Sequence, residues 1–227
     1  MLLVVRLFKL PLSPMQFALA CGAVAATLSH FAGLARWWLA IQLLFAPALM
    51  LMLAIGLAPG YYLVAFLVLL AVYWSTFHTQ VPLYLSSHQA WRALEGLLPA
   101  DRAFAFMDIG SGLGGVLIHL AKVRPEGRYY GVESAPLPFL ISWLRLGMVS
   151  NGKVSWGSFW STDLGRYDVV FAYLSPVPME KLWHKVHNEM RPGTLFISNT
   201  FVVPEHPPQQ TIQTDDMHRS TLYVWRM

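Results

Sequence analysis

Apolar residues fill the first third of the chain with few polar interruptions, and from residue 80 onward they fall instead into alternating helical and strand periods. In the first part, 34–57 (LARWWLAIQLLFAPALMLMLAIGL) is long enough for a helix crossing a hydrocarbon core of about 30 Å, which takes about 20 residues. Pro47 should kink it. A second apolar run, 61–77, is shorter but free of charge, and Ala58, Pro59 and Gly60 break the chain between them, which predicts a transmembrane helical hairpin. Trp37, Trp38, Tyr73 and Trp74 would lie near the same end of it, where interfacial aromatics belong. Residues 16–33 are a weaker candidate for a third span.

In the second part, 87–98 has the pattern of an amphipathic helix and 103–109 that of a first strand. A helix over 114–123, a strand over 128–133, a helix over 137–148 and a short strand over 154–156 are predicted next. A buried strand over 167–174 (YDVVFAYL), a helix over 178–190, a turn leading into a strand within 191–199 (RPGTLFISN) and a terminal strand over 220–225 complete the pattern. Strands alternating with helices imply an α/β fold with a parallel sheet covered on both faces.

Composition sharpens the division. The chain is 56% hydrophobic and only 12% charged, with a mean hydropathy of +0.46, too apolar for a soluble domain of this size. No Asp or Glu precedes Glu95, and the only basic residues ahead of Arg92 are Arg6, Lys9 and Arg36. Two spans keep all three, and the domain that follows, on one side of the bilayer, the cytoplasmic one by the positive-inside rule. Three spans would put Arg6 and Lys9 outside, so two are expected, with the residues before them lying along the interface or against the hairpin. Residues 1–79 then form a membrane anchor and 80–227 a catalytic domain. A cleaved signal peptide is not expected, because Lys9 and Pro11 interrupt the first apolar run. Cys21 alone can form neither an intramolecular disulfide nor a cysteine-based zinc site. The net charge of +4 comes without a dense basic run, which argues against nucleic acid and suits an anionic membrane surface equally well.

The chemistry concentrates in 104–115, FAFMDIGSGLGG. An apolar strand runs into Asp108 and then into Gly110, Ser111, Gly112 and Gly114, a turn that needs positive φ and lets backbone approach a ligand more closely than any Cβ permits. Gly110, Gly112 and Gly115 also satisfy the dinucleotide spacing GxGxxG, so the glycines alone leave NAD and S-adenosylmethionine (SAM) open. Two neighbours favour SAM. Asp108 could accept bonds from the amino group of a methionine moiety, and the roughly 115 residues beyond the loop leave no room for a separate substrate domain. The strand ending RYYGVE closes on Glu133, about 25 residues after Asp108, where a doubly wound fold grips a ribose diol.

Taken in order and spacing, Asp108 to Gly114, Glu133, YDVVFAYL and RPGTLFISN resemble a class I SAM-dependent methyltransferase from Gln80 to the C-terminus. More narrowly, the chain resembles the membrane-anchored ATP synthase c-subunit lysine methyltransferases and their bacterial relatives. The shared features are the apolar N-terminal part, VPLYLSS at 81–87, DIGSG in the glycine loop, SFW at 158–160, Pro176 after the fourth strand and FVVPEH at 201–206. That resemblance implies a Rossmann-like sheet preceded by a transmembrane hairpin, SAM as cofactor, and a lysine of a membrane protein as acceptor. It also implies departures. Ser158 stands where the family places an acid, so adenine recognition would rely on the Ser158 hydroxyl, backbone groups and packing against Phe159. The last loop, 211–219, differs from the family's usual ending.

At the carboxyl end of the fourth strand, Tyr173, Ser175 and Pro176 occupy the edge where ligands of such sheets react, and they are expected to orient the acceptor amine. Pro82 and Tyr84 are candidates for a lid. Methyl transfer needs neither a metal nor a covalent residue. His184 and His187 share a helix face but find no third ligand in the sequence, and Asp215 and Asp216 read as a solvated turn. Two other functions fit the same pattern: methylation of a lipid or quinone-like amphiphile, and a non-catalytic membrane-bound SAM-binding or adaptor module. Transit-type Arg- and Ser-rich character is absent, so the bacterial inner membrane is the expected location.

Overall fold

The computed structural model describes residues 12–76, 80–217 and 219–227. It divides into two compact units, Met1–Val64 and Ala65–Met227. Arg6 and Lys9, which bear on membrane orientation, and Phe77, at the end of the second apolar run, lie outside the described residues.

In the first unit, helix α1 (Pro14–Phe31) starts at Ser13, whose side chain accepts the Gln16 N–H while the Gln16 side chain accepts the Ser13 N–H. That reciprocal cap and Pro14 in the first turn fix where the helix begins. Helix α2 (Trp37–Ala54) continues through Pro47. It packs along α1. The α1 residues Ala18, Gly22 and Ser29 are buried, and a Cβ on Gly22 would run into the Leu43 carbonyl oxygen of α2. Small residues are what allow two helix backbones to come this close.

The pairing differs from the expected hairpin, whose second arm was 61–77. The weaker candidate, 16–33, supplies the helix beside α2. Helix α3 (Pro59–Val72) straddles the boundary between the units and has 14 residues, about 21 Å at the usual helical rise and short of a full crossing. The break also sits earlier than Ala58–Gly60: Gly56 takes φ +70°, and Pro59 opens α3. Proline suits the first turn of a helix, where its missing N–H costs nothing. Among the described residues α2 is the one helix long and apolar enough to cross a membrane.

The second unit is a mixed α/β, Rossmann-like layer structure. Helix α4 (His88–Glu95) leads into β1 (Phe104–Ile109), α5 (Gly115–Val123), β2 (Gly127–Glu133), α6 (Pro136–Leu146) and β3 (Gly152–Trp156). Then come two single-turn 3₁₀ segments, Phe159–Ser161 and Leu164–Arg166, β4 (Val169–Ala172), α7 (Met179–Glu189), β5 (Leu195–Asn199), β6 (Gln210–Gln213) and β7 (Thr221–Arg226). The sheet order is β3-β2-β1-β4-β5-β7-β6. Strands β1 to β5 pair in parallel, whereas β7 runs antiparallel between β5 and β6. The all-parallel expectation therefore fails at one edge, and β6 begins just before, and runs into, what the sequence reads as the last loop, 211–219. QTIQ is short and mostly exposed, so it carries no apolar alternation to betray a strand.

Alternation along the strands sends side chains to two cores. Phe104 and Phe106 pack with Leu94, Leu117, Leu120 and Leu146 beneath α4, α5 and α6. Met107 and Ile109 join Leu182, Val186 and Phe159 on the other face, beneath α7 and the 3₁₀ turns. Chain order reverses between β1 and β4, because β1 leads to β2 on one side while β4 flanks it on the other. The crevice beyond their carboxyl ends is where such sheets bind ligands.

Candidate active site

Asp108 lies next to the end of β1, paired in register with Gly131 of β2 and Phe171 of β4, and it is buried. No described residue donates a hydrogen bond to its carboxylate, and burial, with the nearby Glu133 charge second, raises its pKa to about 8. An unpaired buried acid of this kind is stable as the neutral form until a cation arrives beside it.

Beyond Ile109 the chain turns through Gly110, Gly112 and Gly114 at φ +77°, +52° and +71°. The Gly110 and Ser111 N–H groups both donate to the Val132 carbonyl, at 2.9 and 3.1 Å. Neighbours close in on the turn. A Cβ would come within 2.9 Å of Leu174 Cδ2 at Gly110, within 3.1 Å of Leu83 Cδ1 at Gly112, and within 2.5 Å of Ser142 Oγ at Gly114. Glu133 closes β2 and is also buried. Its Oε2 accepts the Gly112 N–H at 2.8 Å, and its Oε1 accepts the Ser134 and Ala135 N–H groups at 2.8 Å each. A carboxylate offers about four acceptor sites, so one lone pair stays open toward the cavity.

Two cavities meet at this loop. The first, about 570 Å³ with its open mouth, is lined by Glu133, Ala135, Pro138, Gly157 and Phe159. A second, about 750 Å³ with its open mouth, is lined by Asp108, Ser111, His88, Trp91 and Arg145. Tyr84, Gly110 and Tyr173 line both and so form the partition between them. Tyr84 stacks on Tyr173 with ring centres 5.2 Å apart and tilts against Phe201 at 5.6 Å. Arg145 reaches from α6 to donate to the Leu113 carbonyl at 2.7 Å, and Ser111 Oγ is buried with no hydrogen-bond partner among the described residues.

The residues expected from the sequence fare unequally. Asp108, Gly110, Ser111, Glu133, Phe159 and Tyr173 come together around the two cavities, with Gly112 and Gly114 shaping the turn. Ser158 does not line either cavity. It is exposed, and its Oγ accepts the Trp160 N–H at 3.2 Å to cap the 3₁₀ turn. Ser175 is buried with no partner for its Oγ among the described residues, Pro176 is exposed, and neither lines either of these two cavities. Asp216 is more than a solvated turn: its Oδ2 accepts the Ser87 hydroxyl at 2.6 Å and its Oδ1 the Ser220 N–H at 2.8 Å, which hold its pKa well below the usual carboxylate range. Pro82 and Tyr84 line the first cavity, and Leu83 between them comes up against Gly112. Arg145, His88 and Trp91 carry no motif. The hint for Arg145 is helical phase, since it sits between buried Ser142 and Leu146 rather than on the exposed face of α6.

Residues 108–210 match the family model of the ANTKMT methyltransferase domain. The chain is a SAM-dependent methyltransferase, and over this segment it is similar to that family. A protein-lysine N-methyltransferase of Saccharolobus islandicus (strain REY15A) is 26% identical over 122 residues, 52% of this chain and 76% of its own. Among solved structures, an RNA methyltransferase from Salinibacter ruber in complex with S-adenosyl-L-homocysteine superposes with a TM-score of 0.56 at 24% identity, over 63% of this chain and 93% of the other. The precorrin-6y C5,15-methyltransferase of Geobacter metallireducens gives 0.51 at 15% identity, over 63% and 90%. These two likenesses are of fold.

The methyltransferase has a site that fits its cofactor, S-adenosyl-L-methionine. A cationic amino group would meet Asp108, the one buried carboxylate without a donor among the described residues, beside the Ser111 hydroxyl. A ribose would find the open lone pair of Glu133, and an adenine the apolar walls of Phe159, Pro138 and Ala135.

Proposed function

We propose that the protein is a membrane-anchored protein-lysine N-methyltransferase whose acceptor is a lysine of a membrane protein. The observation that carries the acceptor reading is the aromatic enclosure of Tyr84, Tyr173 and Phe201 beside Gly110, at the carboxyl end of β4. Its chemistry suits an amine that must lose a proton. A lysine of pKa near 10.4 costs about 4.6 kcal/mol to present as the neutral amine at pH 7, and a desolvating aromatic wall lowers that cost. When bound, the cofactor supplies the methyl group on a sulfonium sulfur, which would take the C–S bonding pair and leave as a neutral thioether. The chain's own residues hold the nucleophile in line: the Tyr173 hydroxyl and the backbone carbonyls around Ser175 orient the amine, and Tyr84 with Leu83 excludes water above Gly112.

The name of the Saccharolobus relative supports a lysine acceptor, and the length and composition of α2 support an anchor. The bacterial inner membrane, with the catalytic domain on the cytoplasmic side, is part of the same proposal; it requires α1 and α2 both to cross, since only then do Arg6 and Lys9 share a side with the domain that follows α2. Tritiated SAM added to native membranes that contain the protein, followed by partition into protein and organic phases, tests the proposal. Label recovered as methylated lysine in the protein phase is expected. Label confined to the organic phase would assign a lipid or quinone-like acceptor instead.

A further inference from the structure

Helix α6 presents its apolar residues outward. Leu140, Trp143, Leu144 and Met148 are 47%, 55%, 58% and 73% exposed, a spacing of three, one and four residues that puts them on one helical face continued past the last turn. Buried Pro138, Ser142 and Leu146 form the opposite face, toward the sheet. Beside this stripe, at the free edge of the sheet, Trp156 of β3 is 64% exposed. Its indole N–H is already held by the Ser134 carbonyl at 3.1 Å and its ring stacks on Phe139 at 6.1 Å, so the exposed ring is fixed in position. Single exposed apolar residues need no explanation, but a contiguous set with two tryptophans does.

Charge selects the occupant. From Ser134 to Thr162 there is no acidic residue, and the charged groups are Arg145 and Lys153, the latter exposed on β3. An apolar stripe with tryptophans, a lysine at its side and no acid matches the chemistry of a bilayer interface with anionic headgroups, where indole rings settle at headgroup depth and cations are attracted. We infer that the α6 face and Trp156 form a second membrane contact, which docks the catalytic domain onto an anionic lipid surface. This inference rests on the anchored reading of the chain. Docking fixes the orientation of the domain relative to the bilayer, so acceptors at a set height above the membrane are favoured over soluble ones.

Spin labelling of the full chain tests it. In a Cys21→Ala background, Met148→Cys and, as a control on exposed Asn188 of α7, Asn188→Cys would each carry a nitroxide after reconstitution into phosphatidylcholine–phosphatidylglycerol vesicles. SAM binding by each labelled chain verifies that it is folded. The ratio of collision rates with oxygen and with a water-soluble nickel chelate should be higher at 148 than at 188 by about tenfold, as for a group at headgroup depth or below. Equal ratios at the two positions would overturn the docking surface while leaving the anchor intact. A label at 148 shielded from both reagents would also overturn it, in favour of contact with a second copy or another protein. Failure of the chain to float with vesicles at all would sink the anchor and the docking surface together, with SAM binding unaffected.

Discussion

Glu133 Oε2 accepts the Gly112 N–H at 2.8 Å, so the acid at the end of β2 holds the glycine loop that follows β1. Its other oxygen is engaged by two further N–H groups. An amide cannot accept at both ends, so Glu133→Gln turns an NH₂ group toward at least one of these donors. Hydrogen bonds to a charged acceptor are worth roughly 1.5–3 kcal/mol, which predicts a loss of SAM affinity of about 10- to 100-fold. Calorimetric titration of the purified variant measures it. Unchanged affinity would mean that the loop needs no such tether.

Asp108 links cofactor binding to pH. Its pKa of about 8 means that the free enzyme holds it neutral at pH 7, whereas a cationic amino group requires the carboxylate. SAM binding should therefore release a proton below pH 8, and affinity should fall by up to about tenfold per pH unit on going down from 8, and level off above it. Titrations in buffers of different ionisation enthalpy detect the proton directly.

The same group predicts a trade between stability and binding. Its folded pKa is raised above the ordinary 3.8, so the folded state binds the extra proton and stability declines as pH rises from 3.8 to about 8. Asp108→Asn removes that decline. Without SAM the variant should melt above the parent at pH 8, the difference shrinking as pH is lowered toward 4, while its SAM affinity is reduced. Identical melting at both values would show that the carboxyl group carries no such strain.

Much of this site was legible because backbone needs are written in residue identity. Asp108, the glycines and Glu133 sit at strand ends, where a carboxylate or an absent side chain has a local reason. Arg145, His88 and Trp91 had none, since each reaches the site through the tertiary path of a helix whose sequence looks like any other. Ser158 is the opposite case: it departs from the acid the family places there, the sequence offered only its hydroxyl for the adenine, and in the structure that hydroxyl accepts the Trp160 N–H and caps the next turn. Among the apolar helices, hydrophobicity alone ranked 16–33 lowest, while the small residues that let α1 approach α2, Ala18 and Gly22, lower a hydropathy average as they improve the packing. In β6 four mostly exposed residues carried too little pattern to be seen.

Tyr173 separates two roles. If its ring walls the amine and its hydroxyl also orients it, Tyr173→Phe should lower kcat by about 10-fold with SAM affinity unchanged, the size expected for one lost hydrogen bond. Tyr173→Ala also removes the surface against which Tyr84 stacks, and should raise the acceptor KM as well. Full activity in the phenylalanine variant would leave only the wall.

Asp216 should matter to stability rather than to chemistry. Its depressed pKa means that its bonds to Ser87 and Ser220 stabilise the fold above the unfolded value of 3.8, and the contribution disappears as pH falls through the folded value below it. Asp216→Asn is expected to melt below the parent at pH 7 and together with it in strong acid. A pH-independent gap would point to a steric cause.

The strip of chain from Val81 to Ser87 belongs to the walls of both chambers, and Val72, Ser75 and Thr76 just upstream help enclose the first. Trimming the N-terminal helices to obtain a convenient water-soluble enzyme would accordingly breach both chambers, unless the cut leaves this strip and its upstream neighbours in place.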